Sequence, residues 1–114
     1  MDYAGLRARV VGALDERRRN SDDPVVRKGL HRVMSMAVWV LDQNRYKPEM
    51  ELRTVRALIM DEIDIYLKKM FVDGFGDEGL RRAVEEGRDL VATVLDELIA
   101  ASSQTADAGA APKA

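Results

Sequence analysis

Apolar residues recur at every third or fourth position along most of the chain, and this spacing restricts the possible folds more than any other feature. Two of the series are Leu52, Val55, Ile59, Ile63, Tyr66 and Met70, and Leu80, Val84, Gly87, Val91, Val94 and Leu98. A period near 3.6 places such residues on one face of an α-helix. No stretch alternates apolar and polar residues for long enough to indicate a β-strand. The spacing therefore predicts an all-α protein.

Prolines and glycines divide the chain into four helical segments. Pro24 and Pro48 stand where proline is best tolerated, in the first turn of a helix, and three glycines within residues 72–79 predict a loop. The predicted helices cover roughly 2–19, 24–45, 49–72 and 78–101, with Asp23 and Asp77 as N-caps. Short connections favour antiparallel neighbours. We therefore expect an up-down bundle of about four helices, forming one domain over residues 1–101.

The last segment, residues 102–114, contains no large apolar residue and cannot offset its own ordering entropy. We therefore expect a disordered C-terminal tail.

No apolar run reaches the roughly 18 residues that a membrane-spanning helix needs. The first ten residues lack the charged start and apolar stretch of a secretory signal, so we expect a cytoplasmic protein without membrane contact.

Few side chains are available for catalysis. The 114 residues include no cysteine and a single histidine, His31. This excludes disulfides, thiolate metal sites, cysteine nucleophiles and any site that requires two histidines. His31 lies among Arg27, Lys28 and Arg32 without an acidic residue within one turn, so we expect a solvated helix-face histidine. Carboxylates are the main remaining candidates for a chemical role.

Residues 33–41 form the most apolar stretch of the chain, with Ser35 as the one polar residue in nine. An amphipathic helix needs an apolar stripe only about 100° wide, whereas this stretch is apolar nearly all round. It is either the central helix of the bundle, with Trp39 in the core of a monomer, or it is buried against a second copy. Tryptophan and methionine suit an interface, so we favour self-association as a homodimer. The predicted interface residues are Val33, Met34, Met36, Val38, Trp39, Val40 and Leu41.

Charge is unevenly distributed along the chain. Residues 1–48 hold ten Lys and Arg against six Asp and Glu, whereas residues 49–114 hold eight against fourteen. A basic patch on the second helix combines Arg27, Lys28, His31 and Arg32. It can either bind a nucleic-acid backbone or remain a solvated face that pairs with the acidic third and fourth helices. We favour pairing, because the chain has a net charge of −2 and no aromatic residues interleave the basic ones.

Two acidic pairs stand on successive helices, Asp61 with Asp64 and Glu86 with Asp89. Carboxylates spaced in this way on facing helices can share a divalent metal such as Mg²⁺. Over residues 58–98 the pattern, in LIMDEIDIYL and EEGRDLVATVL, resembles the all-α nucleoside triphosphate pyrophosphohydrolases. The resemblance implies a magnesium-dependent enzyme that cleaves between the α and β phosphates, with these four carboxylates as metal ligands.

Helical geometry argues against that enzymatic interpretation. A rotation of about 100° per residue places the four carboxylates about 120–180° from the apolar face of each helix, whereas a metal site in a bundle needs them to point inward. Asp64 also precedes Lys68 by four residues, which predicts a surface ion pair. We therefore predict a non-enzymatic adaptor, regulator or assembly factor that binds an unidentified protein partner and needs no cofactor. The pyrophosphohydrolase and a nucleic-acid-binding module are the alternatives.

Overall fold

Four α-helices account for the secondary structure of the described residues. The computed structural model of the chain describes residues 2–47, 49–73 and 78–110, with residues 71–73 and 103–110 described by their backbone alone. The helices are α1 (Tyr3–Arg19), α2 (Pro24–Asn44), α3 (Leu52–Asp73) and α4 (Glu78–Ala110), and no strand occurs within these ranges. The prediction of an all-α bundle of four helices is confirmed.

Some of the helix ends have the predicted capping residues, and others begin at different positions. The Asp23 carboxylate accepts a hydrogen bond from the Val25 amide at 2.9 Å, with Pro24 in the first turn, as predicted. Helix α3 begins at Leu52 and not at residue 49, because the chain first makes a turn in which the Met50 amide bonds the Lys47 carbonyl at 3.1 Å. Pro48 and Asp77 lie outside the described residues.

Helix α4 continues beyond the predicted end at residue 101 to Ala110. The lack of large apolar residues after residue 101 argues against tertiary packing, but it does not argue against helix, because alanine has the highest helix propensity of all residues. Residues 111–114, the remainder of the predicted tail, lie outside the described residues.

The helices follow one another around the bundle in chain order. Helix α2 packs against all three other helices and most extensively against α4, whereas the backbones of α1 and α3 do not come close together in the described part of the chain. The residue pairs Arg9–Glu97 and Arg17–Glu86 show that α1 and α4 run antiparallel. Gly29 faces Ala83 and Gly87 faces Val33, so α2 and α4 run parallel across the short diagonal of an up-down bundle.

Two glycines allow α2 and α4 to approach so closely. A Cβ atom on Gly29 would lie 2.3 Å from the Ala83 Cβ and 3.1 Å from the Ala83 carbonyl carbon, and one on Gly87 would lie 2.8 Å from a methyl group of Val33. Gly87, which belongs to the apolar series of the fourth helix, therefore permits a close helix approach. The corresponding role of Gly29 was not predicted, because the apolar spacing does not distinguish glycines at a crossing from those on the surface.

The core contains side chains from all four helices. The largest of those that are fully buried are Leu14, Leu30, Leu41, Ile59, Ile63 and Leu95. Burying a leucine or isoleucine side chain contributes roughly 1.5–3 kcal/mol, so this cluster supplies the main stabilising free energy of the bundle. No polar or charged residue is buried among the described residues.

None of the described helices combines the length and the apolar character that crossing a lipid bilayer requires.

Candidate interaction surface on α2 and α3

The apolar stretch 33–41 divides between the core and the surface. Val33, Val40 and Leu41 are buried in the core, so these three predicted interface residues are not available to a partner in the folded monomer. Trp39 lies on the other side of the helix and keeps 55% of its surface exposed. The alternative in which Trp39 is the core tryptophan of a monomer is therefore wrong. Helix α2 is the central helix, but one sector of it remains uncovered.

The uncovered sector of α2 borders a groove shared with α3. The groove has a volume of about 330 Å³ and is lined by Arg32, Ser35, Met36, Trp39, Glu62, Ile65, Tyr66 and Lys69. Met34 and Val38, two further predicted interface residues, are half-buried on α2 and do not line it. The predicted interface is thereby reduced to Met36 and Trp39 on the groove, with partial exposure of Met34 and Val38 elsewhere on the helix.

Helix α3 contributes apolar surface that the sequence reasoning missed. Ile65 is 56% exposed, and Leu58, seven residues earlier, is also exposed. Residues seven apart lie on nearly the same side of a helix, next to the buried stripe of Ile59 and Ile63. This spacing was the available signal, since it makes the apolar face of α3 wider than one core needs. We call the surface formed by Met36, Trp39, Leu58 and Ile65 the α2·α3 face.

No side-chain hydrogen bond or ion pair joins α2 to α3 among the described residues. Side chains join α1 to α2 through Asp42, which accepts a hydrogen bond from the Tyr3 hydroxyl and lies 3.7 Å from the Arg7 guanidinium. Helices α2 and α4 meet closely through their glycines. Ion pairs join α1 to α4 and α3 to α4, and their carboxylate members are Glu86, Glu97, Asp64 and Asp96.

Three charged residues surround the apolar centre of the groove. Arg32 and Lys69 are exposed, and Glu62 is half-buried. None of them forms an ion pair or a side-chain hydrogen bond with the described part of the chain, although all three line one groove. An interface that buries apolar surface within a rim of such charges is typical of protein–protein contacts.

The basic patch of α2 is solvent-exposed throughout. Arg27, Lys28, His31 and Arg32 all lie on the surface, and within the described ranges none has an ion-pair partner. The favoured expectation of a solvated face is therefore confirmed, but its pairing with the acidic third and fourth helices is not seen for these residues within the described ranges. On α4, Glu86 and Glu97 instead pair with arginines of α1, and Asp96 pairs with Arg56 of α3.

The four carboxylates of the enzymatic alternative point outward, as predicted. Asp61, Asp64 and Asp89 are exposed, and Glu86 is half-buried beside Arg17, at 2.5 Å. Asp64 does not pair with Lys68 as expected, because Arg88 of α4 donates hydrogen bonds to both of its oxygens at 2.7 and 3.2 Å. These hydrogen bonds are the main reason that the pKa of Arg88 is raised.

The arginine partners compete with any cation for Asp64 and Glu86. In the described ranges, no three carboxylate or imidazole groups come close enough together to hold a metal ion. The geometry thus offers no support for a shared magnesium ion, and the magnesium-dependent reaction stays a prediction.

A larger cleft, of about 540 Å³, lies at the end of the bundle where α1 and α3 begin. Its lining residues are Asp2, Gly5, Leu6, Arg9, Glu49, Met50, Glu51, Leu52, Leu98 and Ser102. The apolar members of this set are buried or half-buried against the core. The α2·α3 face differs because three of its large apolar side chains, Trp39, Leu58 and Ile65, are exposed, and we therefore regard it as the candidate functional surface.

No protein-family model, no curated protein and no solved structure significantly matches the chain.

Proposed function

We propose that this protein is a non-enzymatic helical bundle that acts through protein–protein contacts, as an adaptor, regulator or assembly factor, and that it self-associates as a homodimer in the cytoplasm. The exposure of Trp39 and Ile65 beside one groove is the observation that carries the proposal. Removing apolar surface from water contributes about 25 cal/mol per Å², so two such side chains on one face favour a bound state. Aromatic residues and methionine are also enriched at interfaces.

The substitution Trp39→Asp tests the proposal directly. We expect it to convert a dimer into a monomer of 12.8 kDa, because a carboxylate would have to be buried in the apolar centre of the contact. The matched control is Tyr46→Asp, since Tyr46 is an exposed aromatic residue that does not line the groove. Light scattering at concentrations from one to several hundred micromolar measures the mass, and circular dichroism checks the fold of each variant.

A monomeric wild-type chain over this whole range would contradict the homodimer. Equal dissociation of the Trp39→Asp and Tyr46→Asp variants would show that the contact does not depend on the α2·α3 face. Fractionation of cells that express the native protein tests the compartment.

The basic patch supports nucleic-acid binding as a second candidate. Four exposed basic residues without ion-pair partners in the described structure can contact phosphates, and each neutralised phosphate releases counterions. If this candidate holds, retention of duplex DNA or RNA falls steeply with salt, and Arg27→Ala with Lys28→Ala weakens it. Retention that is unaffected by these two substitutions would contradict it.

A further inference from the structure

The groove between α2 and α3 has an ordered charge distribution along its length. Along the groove, the sequence numbers of the α2 residues decrease as those of the α3 residues increase, because the two helices are antiparallel neighbours. Matching the lining residues of the two helices in this opposite order assigns Trp39 to the level of Glu62, Met36 to the level of Ile65, and Arg32 to the level of Lys69. With a rise of 1.5 Å per residue, the acidic and the basic level are about 10 Å apart along the helix axis.

Met36 and Ile65 lie between these two charged levels, whereas Trp39 lies beside Glu62 at the acidic level. Glu62 marks one end, Arg32 and Lys69 mark the other, and Met36 and Ile65 occupy the middle. Consider a two-fold axis that lies in the plane of the face, perpendicular to the helices, at the middle level. Rotation about this axis brings a second copy onto the face with its two charged ends exchanged. Such an axis turns the surface into its own complement, which is the requirement for an isologous dimer.

We infer that the α2·α3 face binds a second copy of this chain with antiparallel helices, so that Glu62 of each copy lies opposite Arg32 and Lys69 of the other. The inference rests on the proposed function and specifies its partner and geometry. Trp39 shares the level of Glu62 and therefore packs on the aliphatic stems and charges of Arg32 and Lys69 in the other copy. The three charges that have no partner in the described monomer all gain one.

A parallel dimer through the same face would have the opposite electrostatic outcome. An axis along the helices would place each level opposite itself, with Glu62 near Glu62 and the basic level near its own copy. Like charges across an interface are unfavourable, so charge selects the antiparallel arrangement. A surface with only one sign of charge would instead favour a different protein as the partner.

Charge reversal distinguishes these arrangements. In the antiparallel dimer, Glu62→Lys creates repulsion at two equivalent positions, and Arg32→Glu combined with Lys69→Glu does the same. We expect each variant to dissociate at least tenfold more readily than the wild type. An equimolar mixture of the two variants restores opposite charges at both positions, so we expect a heterodimer with close to wild-type affinity.

Matched controls are available on the same two helices. Asp61 and Lys68 on α3 and Arg27 on α2 are exposed and do not line the groove. Asp61→Lys therefore matches the net-charge change of Glu62→Lys, and Arg27→Glu combined with Lys68→Glu matches that of the double groove variant, without changing the contact. Native mass spectrometry of the mixture, with one variant isotopically labelled, counts homodimers and heterodimers. Formation of the heterodimer also shows that both variants are folded.

The outcomes separate this inference from the proposed function. Dimers that depend on Trp39 but show no preference for the heterodimer would overturn the antiparallel arrangement and leave self-association through the α2·α3 face intact. A wild-type chain that stays monomeric would overturn self-association itself. Equal effects of the groove variants and the control variants would show that net charge, and not the pairing of Glu62, controls the association.

Discussion

Gly29 determines how closely α2 approaches α4. Its missing side chain leaves the space that the Ala83 Cβ and the adjoining backbone of α4 occupy. Glycine within a helix costs about 0.5–1 kcal/mol relative to alanine, so its presence here requires compensation by tertiary packing. The compensation is the tight contact along the short diagonal of the bundle, where Gly87 plays the same part from the opposite helix.

Substitution of Gly29 by alanine is expected to destabilise the protein, although alanine is the better helix former. A Cβ atom 2.3 Å from another carbon forces α2 and α4 apart, and overpacking of this kind costs about 1–3 kcal/mol. Gly12 is the matched control, because a Cβ atom at that position would meet nothing within 4 Å, and Gly12→Ala should gain up to about 1 kcal/mol. Urea unfolding measures both free energies. An increase in the Gly29→Ala variant would contradict the close contact.

At the scale of the helices, apolar spacing predicts which side of an element is buried. Leu6, Val10 and Leu14 recur every four residues in α1, and all three lie in the core. Spacing does not predict how two helices are rotated against each other, and ion pairs between helices depend on that rotation. Asp64 therefore pairs with Arg88 of α4 and not with Lys68 of its own helix. The groove between α2 and α3 could not be predicted either, because its lining also depends on how these two helices are rotated against each other.

The position of Trp39 shows a related limit. Its segment has too few polar residues to identify a solvent-facing side, so the sequence alone left a core tryptophan and an interface tryptophan open. The outcome depends on where the neighbouring helices stand around α2. They surround it on three sides and leave the sector of Trp39 uncovered.

The bridge between the start of α1 and the end of α2 makes stability depend on pH. Burial and the hydrogen bond to Asp42 raise the pKa of Tyr3 above its ordinary value of 10.0, with Arg7 and Arg45 acting in the opposite direction. A pKa that is raised on folding contributes stability that is complete below pH 10.0 and is lost as the pH rises through the pKa of the folded state. The protonated hydroxyl is the form that donates to Asp42.

The variant Tyr3→Phe isolates this contribution. We expect it to lower the free energy of unfolding by about 1 kcal/mol at pH 7–8, because it removes one hydrogen bond. The difference from the wild type should shrink above about pH 10, since the wild type then loses the same bond. All other ionisable groups are shared by the two chains and cancel in the comparison. A difference that stays constant from about pH 7 to pH 11 would contradict the assignment.

At the scale of the whole molecule, polar bridges and apolar exposure lie in different places. Side-chain bonds fasten α1 to α2, α1 to α4 and α3 to α4, whereas the α2·α3 face carries the exposed apolar residues and has no such bond in the described structure. A second copy that covers this face would bury Trp39 and Ile65 and would add contacts to a pair of helices that is held by apolar packing alone. Dimer formation should therefore stabilise the fold of each chain.

This coupling predicts that the thermal midpoint rises with protein concentration. A partner that binds only the folded chain stabilises it by mass action, and in a dimer each tenfold increase in concentration above the dissociation constant adds about 0.7 kcal/mol per chain. For a domain of this size, that corresponds to a rise of roughly 2–5 °C. Scanning calorimetry between about 5 and 500 micromolar measures the shift. The Trp39→Asp variant should lose the concentration dependence, and Tyr46→Asp should keep it, because Trp39 lines the groove and Tyr46 does not. A wild-type midpoint that does not change over this range would show that folding and association are not coupled.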